Sequence, residues 1–233
     1  MKVIINADDF GLTKGVVDGI IEAHKNGVVD STTMMMNGCS VPYAVEQAKL
    51  HPDLKVGIHL VLTWGRPLLK EGVSSLINKE GEFRLNSAFS GKEPPDKNEV
   101  YNEWKQQIEA FIETGLKLHH IDSHHHIHSW DEVKDAAITL AKEYNVPLRY
   151  ADSLSEHQEI LLSDTLYTDF YGETIYNDLF DAVKVTEAGI VEVMTHPGCV
   201  DEQLKQNSSY LEFREKELEI LTRIQRPEWA EKY

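Results

Sequence analysis

Lys2-Val3-Ile4-Ile5-Asn6-Ala7-Asp8-Asp9-Phe10-Gly11 opens the chain, and its reading decides the fold. Residues 2–7 form a continuous β-prone run that ends on two aspartates. A helix is expected next over 14–26, with Thr13 as its cap. Val16, Val17, Ile20 and Ile21 lie on one face of it, and Gly27 is its stop. Working outward, the same strand-then-helix order repeats. Strands are expected at 31–36, 55–62, 119–123, 148–151 and 190–195. Helices are expected at 42–50, from Asn98 to Gly115, at 131–144, at 173–188 and at 210–224. Residues 65–98 and 152–172 lack periodicity, and an internal loop as long as 65–98 usually carries function.

Such alternation gives a parallel sheet with helices on its faces, either a closed barrel or an open doubly wound sheet. The conspicuous polar residues fall at the C-terminal ends of at least five strands, which is the habit of barrels. The expected fold class is therefore α/β: a distorted (β/α) barrel of TIM type, in one domain spanning 1–233.

Composition narrows the function. With 233 residues, 41% hydrophobic and 27% charged, the chain can bury a sizeable core without a metal or disulfide to hold it. Cys39 and Cys199 lie far apart and in no Cys-x-x-Cys frame, against both a disulfide framework and a thiolate zinc site. A net charge of −16 with no Lys/Arg cluster opposes a nucleic-acid partner. No apolar run approaches membrane-spanning length, and the N-terminus turns charged too soon for a signal peptide, so a cytoplasmic location is expected. A homodimer is the expected assembly on general grounds.

Five groups carry candidate chemistry. Asp8 and Asp9 repel each other at a strand end unless something positive sits there; a metal would let one ligate and the other act as base, whereas a turn cap is the bland alternative. In 55–62, Val56, Ile58 and Leu60 share one side, so Gly57 and His59 share the other. His59 then points into the lumen, or is a hydrogen-bonded core residue. Six of the eleven histidines fall within 119–128, too dense for a solvated face. Alternation puts Asp122, His124 and His126 on one side. His196, before Pro197, is a general acid, a substrate hydrogen-bonding group or a plain turn residue. Arg149 either pairs with a carboxylate such as Asp8 or Asp122 or faces the ligand. Trp64, Trp130 and Tyr171 near strand ends are stacking surfaces for a sugar or packing residues. A His-His-Asp set suits Zn²⁺, Fe²⁺, Co²⁺ or Mn²⁺, with Mg²⁺ less natural for imidazole. Metal-activated water with a spare carboxylate means hydrolysis of an amide, ester or phosphate, and phosphate is the least attractive with this charge.

The segments Asn6-Ala7-Asp8-Asp9-Phe10-Gly11, Gly27-Val28-Val29-Asp30-Ser31-Thr32-Thr33, Gly57-Ile58-His59-Leu60, His120-Ile121-Asp122-Ser123-His124-His125-His126-Ile127-His128 and His196-Pro197 resemble the YdjC-like carbohydrate deacetylases, a family that includes chitooligosaccharide deacetylases. The resemblance implies a barrel-like α/β fold and one divalent ion, Mg²⁺ by family habit, on Asp9, His59 and His124. It implies Asp8 as the base, and His196 as the group that protonates the leaving amine or steadies the oxyanion. Arg149, Trp64 and His126 are then the expected substrate-binding residues, and the partner is a small acetylated amino-sugar oligosaccharide. Family members commonly continue past the last helix into a further short strand, whereas this sequence ends at Trp229-Ala230-Glu231-Lys232-Tyr233, so the barrel is expected to be either incomplete or closed differently. An esterase or phosphodiesterase on the same site, or a non-catalytic metal-binding protein, are the alternatives.

Overall fold

A computed structural model describes residues 1–84 and 94–233. Strands and helices alternate in the order β1 (Lys2–Phe10), α1 (Lys14–Lys25), β2 (Ser31–Met34), α2 (Val41–Leu50), β3 (Lys55–Leu60), α3 (Lys97–Glu113), β4 (Ile121–Ser123) and α4 (Lys134–Tyr144). They continue with β5 (Thr165–Tyr167), α5 (Leu179–Lys184), β6 (Ile190–Thr195), α6 (Glu202–Asn207), α7 (Glu212–Arg223) and β7 (Glu231–Lys232). The sheet runs β4-β3-β2-β1-β6-β5 with every pair parallel, and β7 joins β1 at Lys2 and Val3.

The sheet curls. Isolated parallel bridges Ile121↔Leu148 and Leu148↔Leu161 carry the hydrogen bonding past β4 to the segment that leads into β5. Leu162 N donates to Leu148 O at 2.8 Å, and Asp164 N to Ile190 O at 2.9 Å, so 161–164 touches both margins. The result is the barrel-like α/β architecture expected from strand-helix alternation, with a thin seam between β4 and β5.

Helices cover the outside because their sequences are amphipathic. Thr13 caps α1, accepting from Val16 N, and Val16, Val17, Ile20 and Ile21 are buried under it. Asp96 caps α3, so the helix begins one residue before the expected Asn98, and it buries Val100, Trp104, Ile108 and Phe111 beside β3. The inside is polar. Gly57 and His59 do share the inner side of β3, and Gly57 is needed there: a Cβ would fall 2.6 Å from His120 Nδ1.

Several boundaries differ from the sequence reading. The strand expected over 148–151 reduces to the single bridge at Leu148, and β5 lies in a stretch read as irregular. The helix expected over 173–188 is a 3₁₀ turn at Gly172–Thr174 and the short α5. Asn177 and Asp178 favour turn backbone before it, and β-branched Val185 and Thr186 follow it. Helix α6 was not foreseen. A short strand does follow the last helix, as β7: Glu231 N donates to Met1 O and draws the end of the chain alongside β1. Part of the 65–98 loop, residues 85–93, lies outside the described residues.

Burial of imidazoles sets an acid limit on stability. Burial lowers His119 to about 4, and holds His120 and His128 well below the 6.5 of the ordinary group. The unfolded chain therefore binds protons that the folded chain excludes. Their stabilising contribution is complete above about 6.5 and fades as the pH falls toward about 4. Urea titrations across that window should show a steadily falling midpoint; a flat midpoint would mean these rings are charged in the native state.

Candidate active site

β1 delivers two adjacent carboxylates to one place. In a regular strand Asp8 and Asp9 would point to opposite faces. Here the register shifts between Ala7 and Phe10, and Asp9 has φ of +68°, a left-handed backbone that costs energy outside glycine. Asn6 and Asp8 stay on the inner side by alternation, and the bulge brings Asp9 in beside them. Both aspartates line a cavity of about 540 Å³.

β3 and β4 add the imidazoles. His59 pairs in register with Asp122, so both face inward, and His59 Nδ1 lies 2.7 Å from Asp122 Oδ1. That bond leaves His59 Nε2 facing Asp9 Oδ1 at 3.3 Å. β4 ends at Ser123, and a 3₁₀ turn at His124–Ser129 follows with left-handed His125 and His126. It aims His124 Nδ1 to 3.1 Å from the same Asp9 oxygen. The ligand atoms of Asp9, His59 and His124 all lie within 4.8 Å of one another, a set that could hold a metal ion. Asp9 Oδ1 is buried and faces the His59 and His124 ring nitrogens without a well-aligned hydrogen bond.

Two guanidiniums sort the two aspartates. Arg149 donates Nη1 to Asp8 Oδ2 and Nη2 to Asp8 Oδ1, each at 2.7 Å, reaches Asp122 Oδ2 at 2.9 Å, and gives Nε to Glu192 Oε1 at 2.8 Å. Arg214 donates Nη2 to Asp9 Oδ2 at 2.6 Å. Burial alone would raise both aspartates. Arg149 outweighs it at Asp8, and Arg214 with His124 outweighs it at Asp9, so both stay ionised well below the usual carboxylate range. Burial opposes the charge on His59, yet Asp122 and Asp9 lift it to about 10. Burial drives Glu192 up to about 7 against the pull of Arg149. His196 Nε2 stands 3.9 Å from Asp8 Oδ2, and burial lowers its ring to about 3, leaving it neutral.

Asp8, Asp9, His59, His124, His126, Trp64 and His196 thus meet around one cavity, with Tyr171 on its wall. His126 Nε2 lies 3.1 Å from Met194 Sδ, and Trp64 Nε1 donates to Asn207 O at 3.0 Å. Arg149 corrects the expectation of a substrate-facing residue. It is wholly buried behind Asp8, and its donors are committed to three carboxylates, so the alternative of carboxylate pairing holds. Trp130 does not line the cavity. The sequence reading missed Arg214, Tyr210 and Glu217. Their signal was spacing: Arg214 and Glu217 fall on the buried face of α7 with Ile220 and Leu221, a polar pair where apolar residues are the rule.

A curled parallel sheet with carboxylates and imidazoles gathered at the carboxyl ends of its strands defines an α/β-barrel hydrolase site. The chain belongs to the YdjC-like protein family, whose family model matches residues 2–232. A carbohydrate deacetylase of Oceanobacillus iheyensis is 56% identical over 231 residues, 99% of this chain and 100% of its own length. One of Halalkalibacterium halodurans is 41% identical over 230 residues, 96% of each chain. An Enterococcus faecalis V583 crystal structure, described by cellobiose-phosphate cleavage, superposes with a TM-score of 0.89 at 39% identity, covering 95% of this chain and 90% of its own. Among the described residues no helix is long and apolar enough to cross a membrane.

Proposed function

We propose that this enzyme is a divalent-metal hydrolase that removes the N-acetyl group from acetylated amino-sugar oligosaccharides. One observation carries the reading: a carboxylate oxygen of buried Asp9 and ring nitrogens of His59 and His124 converge within 4.8 Å of one another in the lining of a cavity. The donor set fits a cation. Asp122 accepts a hydrogen bond from His59 Nδ1 and so leaves Nε2 facing the site, where a bound cation would take the place of its proton, the usual way a protein orients an imidazole ligand. Arg214 occupies the other oxygen of Asp9, leaving Oδ1 to ligate. Two imidazoles and a carboxylate suit Zn²⁺ or another transition ion, and Mg²⁺ accords with family habit. The relatives named carbohydrate deacetylase support the choice of amide over ester or phosphate.

A divalent ion held there would polarise the acetamide carbonyl and make a nearby water more acidic. The chain's own groups do the rest. Asp8, kept ionised by Arg149, accepts the water proton at Oδ2. His196, neutral and 3.9 Å away, receives that proton through one intervening water and passes it to the departing amine nitrogen. Trp64 and Tyr171 on the cavity wall offer apolar faces to sugar rings, and His126 offers a ring nitrogen.

The test is acetate release from N-acetylglucosamine oligomers of increasing length, with ester and phosphodiester substrates alongside. Chelation should lower turnover at least roughly 100-fold, and Zn²⁺, Mn²⁺ or Mg²⁺ at about one ion per chain should restore it. Undiminished acetate release from metal-stripped protein would remove the cation from the reading, and phosphate release in place of acetate would replace the substrate class.

A further inference from the structure

Helix α7 sends a second group, besides Arg214, toward the site. Glu217 is wholly buried, and an acidic residue in that position is costly unless hydrogen bonds hold it. Its carboxylate accepts from the His196 backbone N–H through Oε2 and from Tyr210 Oη, at 2.6 Å, through Oε1. Burial pushes the group up to about 8 despite those bonds.

Each bond fixes a part of the site. The β1–β6 ladder ends at Ala7↔Thr195, so His196 is the first residue past the sheet, and Glu217 supplies the acceptor its N–H has lost. Pro197 restricts His196 from the other side. Tyr210 Oη in turn accepts from Gly172 N at 2.9 Å, which ties down the loop bearing Tyr171. The Tyr171 and Tyr210 rings stack at 4.3 Å and 6°, and the His196 ring stands edge-on to both, at 5.3 and 5.6 Å. Tyr171, Tyr210 and His196 all line the cavity.

We propose that Glu217 is a positioning residue, one carboxyl group that sets both the proton-carrying His196 and the Tyr171–Tyr210 wall against which substrate lies. The assignment of a task to His196 rests on the deacetylase reading; the hydrogen-bonded arrangement does not.

Three variants separate the two arms. Tyr210→Phe removes the phenol arm alone, and should raise KM about tenfold while kcat stays within about twofold. Glu217→Leu removes both arms, and should lower kcat/KM roughly 100-fold per folded molecule, the scale of a misplaced reacting group. Glu217→Gln keeps an acceptor for His196 and should recover about tenfold of that loss. A purely structural glutamate would instead lower the melting temperature and leave kcat and KM of the folded fraction unchanged, which overturns the proposal. If Glu217→Leu does not fold, an unchanged KM in Tyr210→Phe overturns it alone. If the wild-type enzyme releases no acetate from any oligomer, the functional reading fails by itself. Glu217 is then judged from the His196 ring ¹⁵N signals of Glu217→Gln, which should move and whose constancy would refute its positioning role.

Discussion

Asp8→Asn should lower kcat for acetate release by about 10³-fold, within the range that a general base supplies. Asn keeps the shape of the side chain but accepts no proton at neutral pH. KM should change little, because Asp9, His59, His124 and the aromatic wall are untouched. Metal content, counted on the same sample, should match the wild-type protein. The variant separates catalysis from metal binding at the Asp9, His59 and His124 set, of which Asp8 is not a member: its loss there should cost turnover and not the ion. Turnover within about tenfold of wild type would strip Asp8 of the role of base.

Arg149→Met should be the most damaging substitution for the fold. Arg149 is the cation shared by Asp8, Asp122 and Glu192, all of them buried. Removing one partner from a buried charged cluster leaves uncompensated charge, at a cost of about 3–5 kcal/mol. For a chain of this size that corresponds to a drop in melting temperature of roughly 10 °C. Adding Glu192→Gln should return part of the loss, since it removes one of the three stranded carboxyls. Melting curves of the single and double variants check both statements, and an unshifted single variant would show that the three acids do not depend on Arg149.

Much of this was legible in the sequence because it depends on short-range rules. Residue parity on β3 set His59 apart from Val56, Ile58 and Leu60, and the register of β3 with β4 then put it against Asp122. The Asp-Asp pair announced a site of positive charge, which two arginines supply. Parity was less reliable for the histidine run. Its strand ends at Ser123, and the left-handed turn at His125 and His126, which alternation does not anticipate, directs the later rings. Long-range pairing was hidden altogether. Arg214 meets Asp9 across 205 residues of chain, and nothing near either residue names the other. Arg149 was ambiguous for the same reason, since its burial depends on carboxylates from three separate strands. β5 escaped because three residues carry too little pattern to register.

The bulge at the end of β1 has a consequence for how the chain finds its frame. A uniform apolar strand can slide along its neighbours with little penalty, but Asp8 and Asp9 answer to guanidiniums from opposite parts of the molecule and are not interchangeable. Sliding β1 by one place would set one acid before the wrong arginine and carry the other away from both. The pair therefore acts as a key cut for a single lock, and misthreaded versions of the central strand are rejected before any chemistry is attempted.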